Sequence, residues 1–91
     1  MMPLFALICR DKPGHLHIRT ENRPAHVEWL KAGGNVQFAG PLIEDGEMRG
    51  SLVVVEADDL AAAKKWAAAD PYAAAGLFAS AEVIEWKKVI G

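Results

Sequence analysis

The 91-residue sequence is poor in cysteine, in net charge and in long apolar runs, and each shortage excludes a class of protein. Its single cysteine, Cys9, rules out a disulfide framework within the chain and makes a cysteine-based zinc site a poor expectation. Since Cys9 ends an apolar run, we expect a small buried hydrophobe. The net charge of −2 predicts no general attraction to nucleic acid or to acidic membranes.

Membrane and export signals are also missing from the sequence. No apolar run approaches the ~20 residues that a membrane helix needs. The opening residues, MMPLFALICRDKPG, lack the basic leader and the small-residue cleavage pattern of a signal peptide. We therefore expect one cytoplasmic domain over residues 1–91, with neither nucleic acid nor a membrane as its partner.

Apolar runs, turn signals and alanine-rich stretches predict the order β-α-β-β-α-β. The first helix is expected from Leu16 to about Ala32, ending at a glycine pair, and Pro24 should kink it or start a second segment. Asp58 and Asp59 are candidate N-caps for the second helix, LAAAKKWAAA. The predicted strands are PLFALIC (Pro3–Cys9), VQFAGPL, GSLVVVEA and LFASAEVIEWKKVI.

With right-handed crossovers, this order predicts an α+β ferredoxin-like fold, in which two helices cover one face of a four-stranded antiparallel sheet. The other face needs a cover too, because LFALIC and LVVV do not alternate polar with apolar residues. A monomer rarely exposes such a patch. The sequence therefore predicts a homodimer that packs sheet to sheet through the open faces.

The first predicted helix carries polar residues on or beside its apolar stripe. At about 100° per residue, Arg23 falls among Leu16, Val27 and Leu30, with Arg19 and His26 on the flank. A guanidinium in that stripe must be paired, snorkel to the surface or face a cavity. Glu44 and Asp70 are the candidate partners of Arg23. The helix is thus expected to present Arg19, Arg23 and His26 to something polar at the edge of the core.

Asp70, in the stretch ADPYAAAG, allows two interpretations. It follows a helix whose dipole disfavours an anion at that end, which would suit a group used in acid–base chemistry. Asp-Pro before YAAA is equally a good start for another helical turn, with the aspartate as cap and proline at the first position. From the residues alone, the capping interpretation is sufficient.

The sequence gives less support to metal-binding, nucleophilic, phosphate-binding or RNA-binding sites. His15 and His17 have no cysteine or acidic partner at ligand spacing, so no metal is expected. Ser51 and Ser80 lack a base nearby in sequence. AGPLIEDGEMRG has no phosphate-loop spacing, and GSLVVVEA has none of the aromatic residues that RNA-recognition strands need.

Four short motifs, in order, carry a resemblance to a known family: RPAH in the first helix, AGP in the second strand, GS opening the third, and DPY followed by AAG. With the ending AEVIEWKKVI, they resemble the YciI-like (YCII) family over nearly the whole chain. The resemblance implies a ferredoxin-like fold, a dimer of the α/β-barrel type, and a site centred on His26 of RPAH and Asp70 of DPY.

Two functions follow as hypotheses. The first is a cofactor-free enzyme in which His26 is general base or acid, Asp70 orients it, and Arg23 neutralises an anionic substrate group. Elimination, isomerisation or hydrolysis of a small organic acid or hydroxyaromatic substrate would fit, with Tyr72, Trp66 and Ser51 as wall residues. The alternative is a non-catalytic module that binds a small molecule or a partner protein, in which Asp70 only caps.

Overall fold

The computed structural model describes residues 2–91, which form four strands and three helices in the predicted order. A one-turn helix, α3, stands between the second long helix and the last strand. The elements are β1 (Leu4–Asp11), α1 (Leu16–Ala32), β2 (Val36–Glu44), β3 (Glu47–Glu56), α2 (Leu60–Ala68), α3 (Pro71–Ala74) and β4 (Phe78–Trp86).

The strands pair in the order β2-β3-β1-β4, and every pairing is antiparallel. This is the ferredoxin-like arrangement that underlies the dimeric α/β-barrel type, so the predicted fold class is confirmed. The two strands without polar alternation, β1 and β3, are the central strands of the sheet. None of the helices in residues 2–91 is long and apolar enough to cross a membrane.

The core lies between the sheet and the helices. Its buried members on β1 and β3 come every second residue, as the period of a strand requires, and Ala63 of α2 closes over them. They are Phe5, Leu7, Cys9, Val53 and Val55.

The open face of the sheet is partly covered by its own side chains. Phe38 on β2 and Trp86 on β4 meet edge to face, with ring centroids 5.9 Å apart, although two strands separate them in the sheet. Because these rings reach across the central strands, the small residues Ala6 and Val54 are buried on this face. Phe38 nevertheless remains 47% exposed, so the cover is incomplete.

Helix α1 runs without a break from Leu16 to Ala32, so the predicted second segment at Pro24 is wrong. Proline removes the N–H that would bond the carbonyl of Thr20. Because Thr20 and Pro24 are both exposed, water can donate a hydrogen bond to that carbonyl, and the helix continues.

The last strand is shorter than predicted. β4 ends at Trp86, which pairs with Leu4, the first residue of β1. Beyond that point β1 offers no backbone for pairing, and Val89 and Ile90 are 85% and 91% exposed. Strand pairing, which apolar composition does not reveal, sets this boundary.

Candidate functional site

A cavity of about 120 Å³ lies on the helix-bearing side of the sheet, between α1, α3 and the strands β2 and β3. The register between β2 and β3 explains which residues form the floor of the cavity. Pro41 of β2 pairs with Ser51 of β3, and both face the helices. α1 supplies one wall and α3 supplies Tyr72. The lining residues are Arg19, Arg23, His26, Val27, Leu30, Ala39, Gly40, Pro41, Ser51 and Tyr72.

His26 and Asp70 are in contact behind this cavity. His26 Nδ1 lies 2.8 Å from Asp70 Oδ1, and the two side chains are only 8% and 6% exposed. The same oxygen accepts the backbone N–H of Tyr72 at 2.9 Å, which caps α3. The two interpretations of Asp70 therefore do not exclude each other, since one oxygen caps the helix and contacts the imidazole.

The contact fixes which imidazole nitrogen carries the proton. An ionised carboxylate can only accept hydrogen bonds, so Nδ1 must donate. In the neutral ring Nε2 then keeps its lone pair. Within residues 2–91 Nε2 has no hydrogen-bond partner, and it is not sealed in protein, because the single buried and unpartnered side-chain polar atom there is Asn35 Oδ1. As His26 lines the cavity, Nε2 is available to a molecule bound there.

Tyr72 supports the imidazole and belongs to the same wall. Its ring stacks on His26 with centroids 3.9 Å apart and planes 14° from parallel. Burial raises the pKa of the Tyr72 hydroxyl, and the positive charges of Arg19 and Arg23 oppose that effect only in part. The phenol therefore stays protonated at neutral pH.

Arg19 is held rigidly at the other end of the cavity. Its Nε and Nη2 donate to the two oxygens of Asp11 at 2.6 and 2.8 Å, and Nη2 also donates to Ser51 Oγ at 3.0 Å. Burial acts to lower the pKa of this guanidinium, but the hydrogen bond and charge of Asp11 outweigh it and raise the pKa above its ordinary value. Its central carbon lies 4.6 Å from the centre of the Tyr72 ring.

Of the alternatives left open for Arg23, the structure matches an exposed side chain beside a cavity and not an ion pair with Glu44 or Asp70. Arg19 is the buried arginine of α1, only 2% exposed, whereas Arg23 is exposed and lines the mouth of the cavity. Arg23 pairs with neither predicted carboxylate, since Glu44 bonds Arg10 and Asp70 bonds His26. The physical reason is that α1 turns a polar face inward: its buried residues are Arg19 and His26, two turns apart.

The remaining candidates divide between the cavity and other places. Ser51 is buried and lines the cavity as expected. Trp66 is not among the lining residues, because it stacks on Trp29 with centroids 4.1 Å apart. His15 Nδ1 lies 2.8 Å from the carbonyl of Pro13. Across residues 2–91, no group of three or more histidine, cysteine or acidic side chains is arranged to hold a metal.

Sequence reasoning missed Asp11 and underrated Arg19. The predicted first strand ends at Cys9, but β1 continues to Asp11. A signal was present, because Asp11 is in phase with Phe5, Leu7 and Cys9 in the two-residue period of the strand. That phase places its carboxylate on the helix side, where Arg19 lies.

Cys9 lies near the site but is not a candidate nucleophile. Burial, with a smaller contribution from the negative charge of Asp70, raises the pKa of its thiol to about 12. Because the thiolate is the reactive form, Cys9 is unreactive at neutral pH and fills space in the core.

Comparison with known proteins identifies the family. Residues 3–87 match the model of the YCII-related domain. The chain belongs to this family. It is 35% identical to Protein YciI of Escherichia coli O6:H1, over 94% of this chain and 98% of the relative. It is 36% identical to an uncharacterized protein of Haemophilus influenzae, over 93% and 97% of the two chains.

A solved structure connects the fold with an enzyme. The chain is similar to 5-chloro-2-hydroxyhydroquinone dehydrochlorinase (TftG) of Burkholderia phenoliruptrix AC1100, solved in complex with 2,5-dihydroxybenzoquinone. The TM-score is 0.83 and the identity 33%, over 92% of this chain and 93% of the other. At least one protein that shares both fold and sequence similarity with this chain is thus an enzyme acting on a hydroxyaromatic compound.

Proposed function

We propose that this protein is a small enzyme without a cofactor that catalyses proton transfer on a hydroxyaromatic or other small organic acid. His26 is the general base and acid, acting through Nε2. Asp70 is the positioning residue that holds the ring and fixes its tautomer. The observation that carries the proposal is the buried 2.8 Å contact between His26 Nδ1 and Asp70, which leaves Nε2 to the cavity.

The charges around the cavity suit a substrate that gains negative charge as it loses a proton. Arg19 and Arg23 both line the cavity. Arg19 also interacts with Tyr72, while its Nε and Nη2 are held by Asp11 and Ser51. Fixed donors of this kind stabilise a developing anion without having to reorganise. Ser51 accepts from Arg19 through Oγ, so its own hydroxyl proton is free to donate.

The size of the cavity limits how the substrate enters. About 120 Å³ is less than the ~150 Å³ of a cavity that holds benzene, so the reacting edge of a ring fits and a whole ring does not. An open depression adjoins it and shares Arg23 and Val27 with it. The rest of the substrate extends into that depression, beside the Arg23 guanidinium.

Elimination is the reaction class that we propose first. In the similar enzyme TftG the named reaction is a dehydrochlorination, in which a proton and a chloride ion leave the substrate. At the present site His26 Nε2 would take the proton, and the electron pair left behind would expel the leaving group as an anion. Arg19 and Arg23 would lower the energy of the anionic intermediate between these events.

A second candidate is binding of an anionic small molecule without chemistry, and the two guanidinium groups at the cavity favour it. The two functions differ in their need for His26. Binding requires only a polar group at that position, which a glutamine side chain also provides. Catalysis requires a group that takes up and releases a proton.

We also propose that the protein is a homodimer joined through the open sheet faces. Side chains of three strands support it: Phe38 is 47% exposed, Leu52 37%, Ile84 49% and Trp86 36%, all on the face without helices. Such a continuous apolar surface is costly to leave in water. The cavity lies on the other face and stays accessible in this dimer.

The test is chloride release from 5-chloro-2-hydroxyhydroquinone by the purified protein and two variants. We expect turnover by the wild type and a loss of about 10²- to 10⁴-fold in His26→Gln. His17→Gln is the matched control, because His17 is exposed on the same helix and lies outside the cavity. Unchanged turnover in His26→Gln would overturn the catalytic role, and tight binding without turnover would support the second candidate.

A further inference from the structure

A second and larger cavity lies on the opposite side of Asp70 from the first. Its volume is about 260 Å³; it opens to solvent, and it is bordered by α2, α3 and the strands β1 and β4. Asp70 lines this cavity and not the smaller one. The lining residues are Leu7, Cys9, Lys64, Ala67, Ala68, Asp70, Ala73, Phe78, Ala81, Glu82 and Val83.

The wall of this second cavity is apolar apart from a few groups. Alanine methyl groups from both helices and from β4 make most of it, with Phe78 and Val83. The charged side chains of Lys64 and Glu82 are exposed, so they stand at the rim. Such a space favours an apolar molecule, and about 260 Å³ exceeds the ~150 Å³ that suffices for benzene.

One carboxylate oxygen gives the second cavity a polar anchor. Asp70 is 4% exposed, and its Oδ1 serves both His26 and Tyr72. Oδ2 has no partner in residues 2–91, yet it is not sealed in protein, since Asn35 Oδ1 is the single buried polar side-chain atom there that lacks one. One oxygen of Asp70 therefore has no protein donor beside a mostly apolar space, and a ligand can supply that donor.

We infer that this second cavity is a binding site for a small apolar molecule that carries one neutral hydroxyl group, which donates to Asp70 Oδ2. A hydroxyl fits better than an ammonium group, because a cation costs more to desolvate against an apolar wall, and the opposite charges of Lys64 and Glu82 at the rim offset each other. A carboxylate is excluded, because it has no proton to donate and Asp70 repels it.

A molecule bound at this site would affect His26 through Asp70, which contacts both. A donor on Oδ2 withdraws negative charge from the carboxylate that accepts from His26 Nδ1. Bound alcohol therefore weakens the hydrogen bond that orients the imidazole. The inference goes beyond the proposed reaction and does not depend on it, because binding can be measured with a compound that has no group to eliminate.

The test uses cyclohexanol, a saturated alcohol, and follows methyl signals of alanine, valine and leucine by NMR. We expect saturable shifts for Ala67, Ala73, Ala81 and Val83, and none for Val27, Leu30 and Ala39 around the smaller cavity. Methoxycyclohexane, which has the same ring and oxygen but no donor, should bind about tenfold more weakly. The NMR signal of the His26 Nδ1 proton should also shift as cyclohexanol is added, and its titration should give the same dissociation constant as the methyl signals.

A filling variant locates the site independently. Ala81→Leu places a larger side chain in the second cavity and should raise the cyclohexanol dissociation constant at least about tenfold. Ala61→Leu, on the exposed side of α2, is the matched control and should leave it unchanged. Absence of saturable shifts, shifts confined to the smaller cavity, or equal binding of the ether would each overturn the inference. Because the wild-type shifts are informative alone, the test survives misfolding of Ala81→Leu.

Discussion

At the scale of single residues, the site depends on two buried acid–base pairs joined by an aromatic ring. Asp11 holds Arg19, Asp70 holds His26, and Tyr72 contacts both basic side chains by stacking. Each charged group has a fixed partner, which offsets the cost of removing it from water. The consequence is that Arg19, His26 and Tyr72 are held in place at the cavity, as catalysis by preorganised charge requires.

The two arginines of α1 should differ sharply in their effect on stability. Arg19→Met leaves the Asp11 carboxylate buried without its partner, and we expect a loss of about 3–5 kcal/mol in the free energy of unfolding. Arg23→Met should change it by less than about 0.5 kcal/mol, because Arg23 is exposed. Urea unfolding followed by circular dichroism measures both. Similar losses in the two variants would contradict the assignment of Arg19 as the structural arginine.

A side-chain contact of the site could be predicted only where a recognisable motif carried each of its two residues. RPAH and DPY identified His26 and Asp70 through family resemblance, while the residues alone favoured a simple cap. That Arg19 is the buried arginine of the two could not be foreseen, because helical periodicity assumes that apolar residues define the buried face. Here Leu16 is 37% exposed and a polar face is buried instead, against a partner, Asp11, that belongs to another element.

At the scale of elements, the close packing of β1 against β3 determines which residues the GS motif can contain. A Cβ atom on Gly50 would lie 2.4 Å from the carbonyl oxygen of Cys9 and 3.0 Å from Leu42 Cδ1. The backbone oxygen cannot move without disturbing the ladder between the strands. Gly50 is therefore required for the pairing that places the next residue, Ser51, against Arg19.

Gly50→Ala should destabilise the protein by about 1–3 kcal/mol, because the strands must separate to admit a methyl group. Gly40→Ala is the matched control on the neighbouring strand, where a Cβ atom meets nothing within 4 Å. Its stability should be unchanged or slightly higher, since alanine restricts the unfolded chain. Thermal unfolding of both variants is the measurement, and equal melting temperatures would show that the contact carries no strain.

The order of elements could be read from the sequence, and their ends could not. Apolar runs and turn residues predicted all four strands and both long helices. The end of β4 at Trp86 depends on where β1 begins, and the unbroken α1 depends on Pro24 being exposed. Both facts concern the surroundings of a residue in space, which local patterns do not contain.

At the scale of the whole molecule, the proposed dimer follows from a small chain with an apolar sheet face. A chain of this length buries only about 60–65% of its surface when it folds alone, so the marginal stability of one copy favours association. The sequence predicted an apolar open face from β1 and β3, whereas most of the exposed apolar side chains on that face belong to β2 and β4. It did not indicate that Phe38 and Trp86 meet across the sheet and shield Ala6 and Val54.

Ile84→Glu should convert the proposed dimer into a monomer, because it places a charge on the apolar open face of the sheet. Val89→Glu is the matched control: Val89 is more exposed but lies beyond the end of β4. Sedimentation velocity over a range of protein concentrations distinguishes the two states. A monomeric wild type, or a dimer that survives Ile84→Glu, would refute an interface through the open sheet face.

The central claim is that Asp70 fixes the tautomer of His26, and the ¹⁵N signals of its imidazole test this most directly. The measurement is made at mildly alkaline pH on the wild type and on Asp70→Asn, since asparagine retains the helix cap. We expect the wild type to carry its proton on Nδ1 with Nε2 unprotonated, and the variant to shift toward the Nε2–H form. A wild type protonated at Nε2, or equal tautomer populations in both proteins, would contradict the account.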